Sequence, residues 1–232
     1  MKEIAGFFLE KVWPTVTASA SDAGTYFRSN AVFFGEMKAR TGACSRAWLF
    51  GIVVAVGLGV LGLPASRSAG ITPTAEFAVV MTLANWLLIA LYGVCFGLAA
   101  RILGSQRGLL TSVNTFFYLS GWMVFLKIFE MPALGARLKG MAQSCSLDGY
   151  DLAVTTGIQH SSMAFVSDKI VLGGYLAFVC FCVIRMQRQL HDFGGVKAWL
   201  ATAVGMALLS VIIMIVQEPI ISQLVCSYAS QP

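Results

Sequence analysis

The chain has 232 residues, 57% of them hydrophobic and only 12% charged, about half the charged share of an ordinary soluble domain, which leaves too little polar surface to coat a water-facing globule. Formal net charge is +5, but the basic residues sit in short segments beside long apolar runs and do not alternate with exposed aromatics, so no nucleic-acid partner is expected. Each run is about long enough to cross ~30 Å of hydrocarbon, and none shows the in–out alternation of a lipid-facing strand. The expected fold class is an all-α polytopic membrane protein, with five transmembrane helices preceded by an amphipathic, interfacial N-terminal segment.

Residues 1–46 are expected to form a cytoplasmic N-terminal segment. Lys2 to Trp13 reads as an amphipathic helix, with Ile4, Phe7, Phe8, Val12 and Trp13 on its apolar face. Ala18-Ser19-Ala20 imitates a signal cleavage site, but Glu3, Glu10 and Lys11 interrupt the stretch before it, so the N-terminus is expected to be retained. Pro14 should end the first helix and Thr15–Ser21 should form a hinge, with Asp22 capping a second segment, Ala23–Arg40.

A five-span transmembrane region is expected over 47–216, with spans at about 47–63, 76–100, 109–129, 169–184 and 198–216. Pro64 should close the first span, and a basic loop, Arg101 to Gly108, should separate the second and third. Residues 130–168 are expected to form an outer loop with a surface helix from Pro132 to Gln143 and a polar stretch Ser144–Ser162. Gln217-Glu218-Pro219 should end the fifth span and leave 217–232 as an outer C-terminal tail. With the N-terminus inside, eleven of the sixteen basic residues fall in 1–46, 101–108 and 185–197, so the positive-inside bias gives a cytoplasmic N-terminus and an outside C-terminus. The short loops and the lack of a sorting signal point to a bacterial inner (plasma) membrane.

In this topology Cys145 and Cys226 are the only cysteines outside, and form the candidate disulfide if that side is oxidising. Lys127, Glu130, Asp168, Lys169 and Glu218 reach the same outer interface as a candidate charge cluster; the plainer reading has each group snorkelling to water from a helix end. Asn85, Asn114 and Thr115 are the candidate intramembrane polar positions. They serve either as interhelical hydrogen bonds or as the lining of a transport path. Gly93 and Gly97 form a small-xxx-small pair for close helix packing, and Ala203, Gly205 and Ala207 offer a second such face. His160 and His191 fall on opposite sides, no Cys/His grouping has zinc spacing, and neither G-x-S-x-G nor H-E-x-x-H occurs. No catalytic residue, metal site or cofactor is therefore assigned.

Ala99-Ala100-Arg101-Ile102-Leu103-Gly104, the basic turn after it, and Phe116-Phe117-Tyr118 in the next span resemble the Yip1-like family of five-span membrane proteins over about residues 30–216. The chain departs from the family where Leu119-Ser120-Gly121 stands in place of an expected proline. The resemblance implies a membrane-organising or trafficking-related protein without catalysis. The leading expectation is a non-enzymatic scaffold or subunit of a membrane complex, partnered by the lipid bilayer and by a membrane protein or a second copy. The alternatives are a transport component for a small molecule, ion or lipid, and an immunity protein that blocks a membrane-active toxin through the outer loop.

Overall fold

The structure, a computed structural model, describes residues 13–40, 42–145 and 161–228. The expected amphipathic helix Lys2–Trp13, save Trp13 itself, and most of the polar stretch Ser144–Ser162, with His160, lie outside the described residues. Among those described there is no β-strand, and the helices run in the order α1 Trp13–Arg28, α2 Asn30–Ala39, α3 Ser45–Ser68, α4 Ala75–Ile102, α5 Leu109–Leu119, α6 Gly121–Ser144, α7 Ser162–Leu190 and α8 Gly195–Tyr228. Four of them, α3, α4, α7 and α8, are long and apolar enough to cross a membrane, and α5 with α6 makes a fifth if that broken pair counts as one span.

Several helix ends differ from the expected ones, each for a local reason. Thr15–Ser21 is no hinge: α1 runs through it, because Pro14 sits in the first turn, where a missing N–H costs nothing. The break falls at Ser29 instead, and Asp22 lies inside the helix rather than at its cap. Pro64 does not close α3, which continues for another turn and stops at Gly70. There the glycine takes φ +79°, Gly70 N–H donates to Arg67 O and Ile71 N–H to Ser66 O, a left-handed C-cap that buries Ile71 beside Ala65. The same device ends α4, with Gly104 at φ +87° and Ser105 N–H donating to Ala100 O at 2.9 Å. Thr74 opens α4 by accepting from Phe77 N–H.

The expected third span is interrupted at Ser120, where a Ser–Gly pair follows and the Ser120 hydroxyl turns back to Phe117 O. Its second part, α6, does not stop at Phe129 but continues through Pro132 to Ser144, so the expected surface helix is the end of a longer one. α7 begins at Ser162, seven residues before Lys169, with the Ser161 hydroxyl accepting from Ala164 N–H. α8 runs on to Tyr228 through what was expected to be a tail. Its π turn at Ile213–Gln217 makes this possible: Glu218 N–H reaches back five residues to Ile213 O, and the wider turn accommodates Pro219.

The chain divides into two compact units: residues 1–54, 89–121 and 180–208 form unit 1, and 55–88, 122–179 and 209–232 form unit 2. In unit 1 the core is α5, whose residues from Thr111 to Leu119 are all buried. Its aromatics are met edge-on and face-on: Phe116 stacks on Phe96, Phe117 lies against Trp48, and Tyr118 against Phe33 and Phe50. In unit 2 the core gathers Ala65, Ile71, Phe77, Leu138, Met141 and Val225.

Candidate functional site

Unit 1 holds a set of buried polar groups arranged around α5. Asn114 Oδ1 accepts from Trp48 Nε1 at 3.0 Å and Cys44 N–H at 3.3 Å, while its Nδ2 donates to Gly42 O at 2.7 Å. The amide thus uses three of its four hydrogen-bonding positions, two on the segment that joins α2 to α3 and one on the first turn of α3. Thr115, beside it, donates to Thr111 O within its own helix. One turn on, the Tyr118 hydroxyl donates to Asp22 Oδ2 at 2.9 Å, and Arg40 grips the same carboxylate with both terminal nitrogens, at 2.7 and 3.1 Å. Burial pushes the Asp22 carboxyl up, but the hydrogen bonds from Arg40 and Tyr118 outweigh it and hold the group below its ordinary value.

A second group surrounds His191, between α7 and α8. Ser105 Oγ lies 2.8 Å from its Nδ1 and Ser112 Oγ 3.2 Å from its Nε2, so a neutral imidazole is satisfied on both nitrogens. Burial and the nearby Arg107 and Lys38 drive its pKa down to about 4, against a smaller upward pull from Asp192. Asp192 itself, at φ +57°, pairs with Lys38 and, at 3.3 Å, with Arg107. None of the acids or hydroxyls in these two groups was expected as a partner. The sequence separations of the pairs that Asp22, Asp192 and His191 make, 18 to 154 residues, carry no short-range signal.

Gly93 and Gly97 lie on α4 against α5. A Cβ at Gly93 would come within 2.8 Å of the Val113 backbone, and one at Gly97 within 2.9 Å of Ser112 Cβ. Gly205 on α8 makes room for the Phe96 ring in the same way.

Unit 2 carries charges in series. Lys127 Nζ donates to Glu130 at 2.9 Å, Arg137 reaches Glu130 at 3.7 Å and Asp168 more closely, and Lys169 lies 3.8 Å from Asp168. Four of the five expected cluster members come together; Glu218 forms no ion pair among the described residues. Arg137 was missed and links the two halves. It lies seven residues beyond Glu130 on the same face of one helix, a relation visible only once α6 is continued through Pro132.

Beside this network a side chain enters a helix. Pro132 has no N–H to offer and disturbs the ladder of α6. There the Ser167 hydroxyl accepts from Ala133 N–H at 3.4 Å and donates to Phe129 O, bridging the two groups that an unbroken helix would join directly. At the far end of α6, Cys145 is disulfide-bonded to Cys226 of α8, with Cα atoms 5.5 Å apart. Asn85 is half-buried on α4 in this unit. Among the described residues no three of His, Cys, Asp and Glu gather as a metal site would need. A scan against protein-family models finds no match to the chain, and no curated protein or solved structure matches it.

Proposed function

We propose that this chain is an integral membrane protein with five spans, acting without catalysis as a scaffold or subunit of a membrane complex. One observation carries the membrane part: the long helices turn apolar stripes outward. Val79, Leu83 and Leu87, spaced one turn apart on α4, are each more than half exposed, and Leu172 and Leu176 repeat the pattern on α7. Such stripes are tolerated in hydrocarbon and not in water. The basic residues of 1–46, 101–108 and 185–197 support a cytoplasmic N-terminus and an outside C-terminus; the short loops are the ground for placing the chain in a bacterial inner membrane.

The scaffold part rests on how the buried polar groups are used. Asn114, the Asp22–Arg40–Tyr118 triad and His191 are engaged in tying sequence-distant segments together. Of the polar positions a transport path would use, Asn114 is taken up by the 42–48 segment. The resemblance to the Yip1-like family points the same way. Extraction into native nanodiscs, after an alkaline carbonate wash, tests both parts. Retention in the membrane with a stoichiometric protein partner, or a second copy, is the expected result. Release by carbonate overturns the membrane reading; a stoichiometric small molecule with no protein partner overturns the scaffold reading in favour of transport.

A further inference from the structure

Unit 1 is strongly unbalanced in charge. Its described residues include nine cations and three carboxylates, Asp22, Glu36 and Asp192. Each carboxylate is paired, and the pairs use Arg40, Lys38 and Arg107. Arg28, Arg46, Arg101, Arg185, Arg188 and Lys197 are exposed and have no carboxylate partner among the described residues.

Three of these six border one packed cluster. Ala100 at the end of α4, Ile184 in α7 and Ala198 at the start of α8 meet around Phe193 with Ala201 and Leu103. Arg101 follows Ala100, Arg185 follows Ile184 and Lys197 precedes Ala198. Lys197 Nζ lies 4.6 Å from the centre of the Phe193 ring and 3.8 Å from where a Cβ at Gly104 would stand, which brings it over the last turn of α4. Asn30 accepts from Arg185 Nη1 at 2.6 Å with its amide turned to satisfy both neighbours, so this guanidinium is steadied while its other nitrogens meet no carboxylate among the described residues.

The chemistry of the surroundings selects the ligand. Beside these cations lie large apolar side chains that face outward: Ile102, Phe181 and Val196 are each at least 67% exposed. Phe181 is one turn before Arg185 on the same helix face, and Ile102 and Val196 are next in sequence to Arg101 and Lys197. A soluble phosphate or a nucleic acid gains nothing from such neighbours. A phospholipid does, because its phosphate meets the cation while its acyl chain covers the apolar side chain.

We propose that Arg101, Arg185 and Lys197 form a binding site for the phosphate of an anionic phospholipid, held at the meeting of α4, α7 and α8. The inference rests on the membrane reading above. Near a membrane surface one Lys or Arg is worth about a fivefold change in affinity for anionic lipid.

The test is reconstitution of the full chain into nanodiscs of phosphatidylcholine with a minority of phosphatidylglycerol, then native mass spectrometry of the lipids that remain bound. The wild type should retain phosphatidylglycerol well above its share in the disc. Each of Arg101→Gln, Arg185→Gln and Lys197→Gln should lower that enrichment up to about fivefold, while the triple Lys/Arg-conserving variant (R101K, R185K, K197R) keeps most of it. Each single variant leaves ten of the eleven inside cations in place, so topology should hold, and an unchanged thermal midpoint shows that folding does. Arg137→Gln, in unit 2, should leave the phosphatidylglycerol enrichment unchanged. Phosphatidylglycerol retained only at its bulk share, in a protein that resists carbonate extraction, overturns this inference and leaves the membrane reading intact. Displacement of the lipid by inorganic phosphate alone would assign the site to free phosphate and also overturn it. Release of the protein by carbonate would instead defeat the membrane reading on which the inference stands.

Discussion

The two units hold buried polar groups in opposite ways. In unit 1 three buried groups have partners far away in sequence: Asp22 serves Arg40 and Tyr118, Asn114 serves the 42–48 segment, and His191 serves Ser105 and Ser112. In unit 2 charges share partners in series, Glu130 and Asp168 each facing two cations, and a disulfide adds a covalent tie. Dedicated bonds fail completely when one partner is removed. Shared ones leave the survivors another partner, so unit 1 should be brittle to single substitutions and unit 2 tolerant.

The sharpest break in this contrast is Asp22→Ala. It leaves the buried Tyr118 hydroxyl without its acceptor and Arg40 with only the exposed Glu36, at 3.4 Å, at a cost of about 3 kcal/mol. Thermal unfolding in detergent micelles should show a large loss, with Asp22→Asn losing less because the amide oxygen still accepts. A fall of under about 1 kcal/mol for Asp22→Ala would show that solvent reaches the pair and that unit 1 is not brittle there.

Next in size is the covalent tie of unit 2. The bond closes a separation of 81 residues, and loss of such a link typically costs about 2–4 kcal/mol. Reduction of the wild type and the Cys145→Ser/Cys226→Ser variant should lower the unfolding midpoint equally. Reduction that lowers the midpoint of that variant as well would place the effect at other cysteines.

His191 makes the contrast depend on pH. Its folded pKa, about 4, lies below the ordinary 6.5, so between these values the unfolded chain binds more protons than the folded one. Stability from this residue is therefore full above about pH 6.5 and is lost as pH falls toward 4, on the order of 2–3 kcal/mol in all. The groups that face it are Arg107, Lys38 and Asp192, with Ser105 and Ser112. Asp22 is held below its ordinary 3.8, so its contribution persists through this window. Unfolding midpoints that fall from pH 6.5 to 4 in the wild type and stay level in His191→Gln are expected. A parallel fall in both would assign the slope elsewhere.

At Pro132 the tie is a single hydroxyl. Ser167→Ala leaves Ala133 N–H and Phe129 O unbridged, for a loss of about 1–2 kcal/mol. Pro132→Ala lets α6 close its own ladder, so Ser167→Ala should cost less in that background. A double-mutant cycle with no coupling would show that the hydroxyl does not support the proline break.

How much of this was legible depends on the range of the signal. The long apolar helices were readable because hydropathy is local: every expected span lies on a described helix or on the α5–α6 pair. Helix bounds were misread beside proline. Pro14 falls in a first turn, Pro64 is followed by one more turn before a glycine cap, Pro132 is relieved by a serine 35 residues away, and Pro219 by a π turn. The candidate site divides along the same line. Lys127–Glu130 and Gly93–Gly97 are spaced by one turn and can be read along the chain. Asp22–Tyr118 and Ser105–His191 exist only after folding, and no periodicity announces them.

The mildest substitution bears most directly on the shared network of unit 2. Lys169 is 57% exposed and stands 3.8 Å from Asp168, whose closer partner is Arg137. Water screens the lysine, and the carboxylate keeps its guanidinium when the lysine is gone, so Lys169→Ala should cost less than about 0.5 kcal/mol. The exposed ammonium also lies 5.2 Å from the Phe165 ring, a contact too solvated to add much more. Arg137→Ala is the necessary companion: it removes the one cation that both Glu130 and Asp168 share, so its cost should exceed that of Lys169→Ala severalfold. Equal costs for the two would mean that the charges act as separate pairs, and the contrast between a brittle unit and a tolerant one would lose its basis.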